Sequence, residues 1–172
     1  MSRKKIVFVI VEGPSDEEAL GVLINRIYDS KAVYVHVMHC DITTEFDVNP
    51  SNIVVKIGSL VKRFAGRTFK SGDFSQIIHI TDMDGAFIPD DAIVEDAAAS
   101  KHLYSVTEIR TQRKNVIEDR NRRKRDNLNR LSSTSKVWNI PYRIYYMSCN
   151  LDHVLYGKLN STDDEKETNA FA

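Results

Sequence analysis

The feature that most constrains the fold is an unbroken apolar run close to the start of the sequence. Residues 5–11 read KIVFVIV, which is rich in β-branched side chains. Successive side chains of a strand point to opposite faces of a sheet, so a strand that is apolar throughout is buried on both faces. Such strands are typical of parallel sheets covered by helices. The six apolar residues are far fewer than the roughly 20 that span a bilayer, so we expect a core strand.

Segments typical of strands and of helices alternate along the rest of the chain. Apolar patterning predicts further strands over residues 33–38, 75–81 and 142–147. Helical spacing of apolar residues predicts helices that begin near residues 14 and 53 and others that cover 90–99, 108–131 and 151–159. This order predicts an α/β fold with a Rossmann-like central sheet, four-stranded and mostly parallel, with helices on both faces.

A chain of 172 residues is long enough for one domain with its own core. We expect this domain to cover residues 1–159 and the acidic segment 160–172 to be a flexible tail. Residues 87–135 break the alternation and are predicted to be a basic, helical insertion. The two cysteines lie far apart, and no apolar stretch is long enough to cross a bilayer. These features favour a soluble cytoplasmic protein without a membrane partner.

Acidic residues follow the predicted strands at the points where those strands end. Glu12 comes directly after the first strand, and Asp82 and Asp84 follow the third. In a parallel sheet the carboxyl ends of the strands share one edge, where ligands bind. Carboxylates that meet there repel one another unless a cation neutralises them, and Mg²⁺ or Mn²⁺ accepts such oxygen ligands. Asp16, about one helical turn after Glu12, could reach the same site.

Two motifs resemble those of the TOPRIM domain. They are VIVEGPSD at residues 9–16 and IHITDMDG at residues 78–85. The VEGPSD form is most similar to the OLD-type nucleases, and small standalone TOPRIM-like proteins are similar as well. The resemblance covers roughly the first 90 residues together with the fourth predicted strand.

The resemblance implies a hydrolase that cleaves phosphodiester bonds in DNA or RNA with the help of a divalent metal. At the matching positions, Glu12, Asp82 and Asp84 would be the catalytic residues. These three and Asp16 would hold Mg²⁺ or Mn²⁺. The residues expected to support the site from the same sheet edge are Gly13, Gly85, Ser148 and Asn150.

The chain also departs from the family pattern. As many as 69 residues lie between Glu12 and Asp82, more than in the tightest members, and residues 87–135 have the character of an insertion. No GxxxxGK[ST] loop is present, so an ATPase of the OLD type would have to be a separate protein partner. Phage defence and RNA processing enter only by analogy with relatives.

Two other interpretations of these residues stay open. The segment ITDMDGAFI at residues 80–88 resembles the DxDGT motif of haloacid-dehalogenase-type phosphatases, in which Asp82 would be a nucleophile and Asp84 a general acid/base. Against this, Ala86 replaces the threonine, and two strand–helix units precede the motif. The other alternative is a non-catalytic module that binds nucleic acid or docks a partner and keeps a vestigial metal site.

The segment from Arg110 to Arg130 carries nine basic and three acidic residues, a local charge of +6 in a chain that is neutral as a whole. Such a segment favours a polyanionic partner, and we expect DNA or RNA. Residues 118–127 contain no apolar side chain, so this part is predicted to be solvated or to lie along the partner. One of the basic residues could stabilise charge on a reacting phosphate. Those predicted to contact nucleic acid are Arg113, Lys114, Arg120, Arg122, Arg123, Lys124 and Arg125.

Overall fold

Parallel strands form the centre of the protein. The computed structural model describes residues 4–28, 33–162 and Glu165. The strands are β1 (Lys5–Val11), β2 (Val33–His39), β3 (Phe74–Asp82), β4 (Ile93–Glu95), β5 (Leu103–Tyr104), β6 (Ile109–Thr111), β7 (Lys136–Val137) and β8 (Ile140–Met147). The helices are α1 (Pro14–Ile27), α2 (Ile53–Ala65), α3 (Lys114–Ser132) and α4 (Leu151–Tyr156).

The main sheet has the strand order β2-β1-β3-β8-β7. Its first four strands pair in parallel, and β7 pairs antiparallel with β8. The prediction of an α/β fold with a mostly parallel sheet is therefore confirmed, while the short edge strand β7 makes the sheet five-stranded and mixed. Because β1 and β3 are parallel neighbours, the residues that follow them meet at the same edge of the sheet.

The two faces of β1 pack into different cores, which explains the unbroken apolar run. One face joins a core with α2, which includes Ile6, Phe8, Ile10, Ile53, Ile57 and Val61. The other face joins a core with α1, which includes Val7, Val9, Val11, Leu20 and Ile24. Every residue from Ile6 to Val11 is at most 2% exposed, so the strand is buried on both sides.

Residues 90–113 contain short strands, so the helix predicted over 90–99 is wrong and the helix predicted over 108–131 begins only at Lys114. A 3-10 turn at Asp90–Ala92 leads into β4, and the order β4-β6-β5 forms a separate three-stranded sheet. Ile93, Ile109 and Ile117 form a small core between this sheet and α3. This packing, rather than any local pattern, keeps the short segments extended, and α3 begins only after them.

The other predicted elements are present with small changes in length. The strands β2, β3 and β8 extend one or two residues beyond their predicted bounds, and α4 ends at Tyr156 rather than at residue 159. Most of the predicted tail, residues 160–172, lies outside the described residues. Within the described ranges, no helix combines the length and apolar character that crossing a membrane requires.

Candidate active site

A buried lysine from α3 lies between carboxylates at the carboxyl edge of the main sheet. The side chain of Lys124 is 0% exposed. Its Nζ donates to Oε1 and Oε2 of Glu12 at 3.0 and 3.1 Å and to Oδ2 of Asp84 at 2.6 Å. Burial acts to lower the pKa of Lys124, but the charges of Glu12 and Asp84 outweigh it and raise the pKa above its ordinary value. The ammonium therefore keeps its charge and joins α3 to the ends of two strands.

Glu12, directly after β1, accepts hydrogen bonds from neighbouring elements as well as from α3. The Thr81 hydroxyl, near the end of β3, donates to Oε1 of Glu12, and Oγ1 of Thr43 lies 3.4 Å from the same oxygen. Burial raises the pKa of Glu12 to about 7, although the charge of Lys124 opposes the rise. The carboxylate can thus exchange a proton near neutral pH.

Asp82, the last residue of β3, is a partly buried acidic residue close to other carboxylates at this edge. Burial, followed by the charges of Glu12, Asp84 and Asp16, raises the pKa of Asp82 to about 9. Lys124 lowers the pKa, but one ammonium cannot balance several carboxylates. Asp82 therefore holds a proton at neutral pH unless a further cation replaces that proton.

The turn after β3 holds Asp84 in a left-handed backbone conformation. The φ angles of Asp84 and Gly85 are 47° and 71°. The N–H groups of Met83 and Asp84 donate to the carbonyls of Met147 and Cys149 at 3.0 and 3.1 Å. The end of β8 and the residues that follow it thus position this turn through their backbone.

Helix α3 fixes the same turn from the other side. Nη2 of Arg120 donates to the Asp84 carbonyl at 2.8 Å, and Nδ2 of Asn121 donates to the Gly85 carbonyl at 3.1 Å. The Tyr104 hydroxyl accepts from Nη1 of Arg120 at 3.1 Å and lies 3.5 Å from Oδ1 of Asp84. Backbone and carboxylate of the turn are therefore both set by residues distant along the chain.

Replacing Gly85 with alanine is expected to lower the free energy of unfolding by about 1–3 kcal/mol. Its positive φ disfavours a side chain, and an added Cβ would lie 2.7 Å from Cδ1 of Ile109. Gly157→Ala is the matched control, because Gly157 has a φ of +69° but no atom within 4 Å of the added Cβ. Denaturant unfolding measures both losses. Equal losses for the two variants would contradict a steric contribution from Ile109.

Asp16 and Gly13 form the start of α1 beside the site. The Gly13 N–H donates to Oδ2 of Asp16 at 3.0 Å, which satisfies a backbone donor at the helix start. The charge of Asp16 also raises the pKa of Asp82, so the two carboxylates are close enough to interact. The charge of Asp16 thus affects Asp82, while one oxygen of the Asp16 carboxylate accepts a hydrogen bond at the start of α1.

The side chains of Ser148 and Asn150 contact α4 and the chain beyond it. Oδ1 of Asn150 accepts from the His153 N–H at 2.8 Å, and its Nδ2 donates to the Leu159 carbonyl at 3.0 Å. Oγ of Ser148 lies 3.4 Å from Nδ1 of His153. Residues 148–150 therefore support the turn that carries Asp84 through the backbone carbonyl of Cys149, not through the side chains of Ser148 and Asn150.

One face of the middle of α3 packs against the site, so the prediction that residues 118–127 are solvated or lie along a partner is wrong for that face, while Asp119, Arg122 and Asp126 are exposed. Asn121, Lys124 and Asn127 are at most 2% exposed. Polar side chains are buried here because the surface that they meet consists of carboxylates and backbone carbonyls. These buried polar residues continue the helical spacing of the buried apolar ones, so spacing alone, without regard to polarity, indicates this face. The residues that show the spacing are Ile117, Asn121, Lys124, Leu128 and Leu131.

The basic residues predicted to contact nucleic acid do not share one free face of α3. Lys124 is buried in the site and is not a surface contact. Arg120 and Arg123 donate to the backbone carbonyls of Asp84 and Thr44. Those with at least partly exposed side chains and no such backbone contact are Arg113, Lys114, Arg122 and Arg125.

The donor set at this edge is of the kind that Mg²⁺ or Mn²⁺ takes. Carboxylate oxygens suit hard cations, and the charge here exceeds what one lysine balances. In the described part of the chain, no three His, Cys, Asp or Glu side chains are already arranged as a metal-binding group. The ammonium of Lys124 lies between Glu12 and Asp84 instead. The chemistry of the donors therefore fits the metal, provided that these two carboxylates exchange their contact with Lys124 for it.

Comparisons with protein-family models, curated proteins and solved structures gave no match to this chain. The geometry of the site and the motifs that form it are therefore the basis on which a function is proposed.

Proposed function

We propose that this chain is a TOPRIM-like nuclease that uses Mg²⁺ or Mn²⁺ to hydrolyse phosphodiester bonds in DNA or RNA. The observation that supports the proposal most is that Glu12 and Asp84 both contact Lys124 at the carboxyl edge of two adjacent parallel strands, with Asp82 close enough to interact with their charges. The two motifs that resemble the TOPRIM domain supply all three carboxylates.

The residues of the site divide the chemistry between acidic and basic groups. Mg²⁺ or Mn²⁺ held by Glu12, Asp82 and Asp84, with Asp16 nearby, would polarise the scissile phosphate and lower the pKa of the attacking water. In the alternative division of roles, Glu12 would not hold the metal but would remove a proton from the attacking water, which suits a carboxyl group whose pKa burial raises to about 7. Lys124 and Arg120 would supply positive charge close to a phosphate bound beside Glu12 and Asp84.

A nucleic-acid partner, an ATPase partner and a cytoplasmic location are part of the same proposal. Nucleic acid is the partner that the exposed basic residues of α3 would contact through phosphates. A separate ATPase partner and a cytoplasmic location stay predictions from the sequence.

The cleavage assay uses the purified chain with supercoiled plasmid, single-stranded DNA and structured RNA. Parallel reactions contain Mn²⁺, Mg²⁺ or EDTA. We expect cleavage of at least one substrate with a metal and none in EDTA. We further expect Glu12→Gln and Asp82→Asn to lower the rate at least about a hundredfold, because each removes a charged oxygen from the site. Circular dichroism shows whether both variants stay folded.

Glu18→Gln is the matched control, because Glu18 is an exposed glutamate on α1. Its rate should equal that of the wild type. Nucleic-acid binding without cleavage, unchanged in the two site variants, would instead identify a non-catalytic module. Turnover of small phosphate esters without cleavage of any nucleic acid would favour the phosphatase.

A further inference from the structure

Phe46 is an aromatic side chain that the fold leaves almost wholly in solvent. It lies in the loop between β2 and α2 and is 92% exposed. The same loop reaches the candidate active site, because Oγ1 of Thr43 lies 3.4 Å from Oε1 of Glu12. Phe46 is thus three residues along the chain from a side chain that touches a catalytic carboxylate.

Hydrogen bonds hold this loop on both sides of the ring. Nδ2 of Asn127 donates to the Thr43 carbonyl at 3.0 Å, and Nη1 of Arg123 donates to the Thr44 carbonyl at 3.0 Å. Beyond the ring, Nδ2 of Asn52 donates to the carbonyl of residue 47 at 2.8 Å. An exposed ring on a loop anchored in this way is pre-organised, so a ligand would lose little free energy in ordering it.

Positive charge lies directly beside the ring. The guanidinium carbon of Arg123 is 5.7 Å from the ring centroid, within the range of a cation–π contact. Of the two acidic residues next to Phe46 in the chain, Asp47 pairs with Lys56, while Oε1 of Glu45 lies 3.9 Å from Sγ of Cys40. The surface around the ring therefore joins an aromatic face to a cation, which suits an aromatic ligand that carries negative charge.

We propose that Phe46, together with Arg123, is a stacking platform for an unpaired base of single-stranded nucleic acid. Every base has an aromatic face, so stacking on the ring tolerates any sequence, while the guanidinium attracts the adjoining phosphates. Bases inside a duplex are covered by their neighbours and cannot reach the ring. The inference rests on the proposed function for its nucleic-acid ligand and deepens it by naming single strands as the preferred substrate.

Fluorescence anisotropy in EDTA tests the platform without any cleavage. The probes are a labelled DNA single strand, an RNA single strand of the same sequence, the corresponding DNA duplex and an abasic DNA single strand of equal length. Phe46→Ala should weaken binding of the two base-bearing single strands about tenfold. It should leave the duplex and the abasic strand within about twofold, because these bind through phosphates alone.

Phe46→Trp reports stacking directly, since it should keep the affinity for base-bearing strands and place a fluorophore in the contact. Its added tryptophan emission should be quenched more by those strands than by the abasic strand. Val55→Ala is the matched control, because Val55 is 69% exposed on α2, and this variant should bind every probe as the wild type does.

The outcomes separate the platform from the nuclease. No loss from Phe46→Ala, or an equal loss for base-bearing and abasic strands, overturns the platform, even where the wild type cleaves nucleic acid with a metal. A base-dependent loss supports the platform, even where no cleavage is found and the nuclease proposal fails.

Discussion

Replacing Lys124 with methionine is expected to lower the free energy of unfolding by about 3–5 kcal/mol near neutral pH. The ammonium is buried and donates to oxygens of Glu12 and Asp84. Methionine keeps much of the side-chain length but carries no charge, so the variant leaves two carboxylates without the cation that neutralises them. Denaturant unfolding in EDTA, followed by circular dichroism, measures the loss.

Further variants show whether buried charge causes this loss. Lower pH should restore part of the stability, because protonation of Glu12 removes one of the unpaired charges. Combining Lys124→Met with Glu12→Gln should cost less than the two separate effects together. Lys56→Met is the control, since Lys56 pairs with Asp47 at the surface and should change stability little. A Lys124→Met loss no larger than the control's would contradict a supporting role for the buried pair.

Replacing Asp82 with asparagine is expected to raise the free energy of unfolding by about 1–3 kcal/mol near pH 8 in EDTA. The amide has almost the shape of the carboxyl group but no charge to be repelled by Glu12, Asp84 and Asp16. Those charges and burial are what raise the pKa of Asp82. A substitution that removes activity while adding stability is typical of a residue kept for function.

This gain should grow as the pH rises. The pKa of Asp82 is about 9 in the folded protein against an ordinary value of 3.8. The folded state therefore holds a proton that the unfolded chain releases, and its contribution to stability falls as pH rises through this interval. Burial lowers the pKa of His79 to about 3 from 6.5, and that residue acts in the opposite sense below its ordinary value. The comparison is therefore made at about pH 7 and about pH 9.

Unfolding curves of the wild type and Asp82→Asn at the two pH values measure the difference. Asp126→Asn is the control, because Asp126 is an exposed carboxylate on α3 and its replacement should change stability little at either pH. A gain for Asp82→Asn that is the same at both pH values would show that Asp82 is ionised alike in the folded and unfolded states.

The central sheet could be predicted because its signal is local. The apolar run in β1 requires two covered faces, and the amphipathic pattern of α2 supplies one of the covers. The short strands β4, β5 and β6 could not be predicted, because a segment of two or three residues is too short to show a periodic pattern. The pairing of these strands also depends on a core that they share with α3.

The candidate site likewise combines residues whose positions could be predicted from the sequence with one whose position could not. Glu12, Asp82 and Asp84 could be placed at one edge because parallel strands end there together. The position of Lys124 could not be predicted from polarity, which indicates solvent exposure for a charged residue. Its burial depends on what α3 meets in three dimensions, namely the carboxylates and backbone carbonyls of the sheet edge.

The long sequence separations within the site also affect the order of folding. Lys124 and Glu12 are 112 positions apart, and Thr81 and Glu12 are 69 apart. Contacts this distant require large loops to close, which slows their formation. A ribosome-bound chain that ends before α3 already contains the acidic residues but lacks their lysine counter-charge. During synthesis, the acidic residues at the sheet edge thus gain this counter-charge only after α3 has emerged.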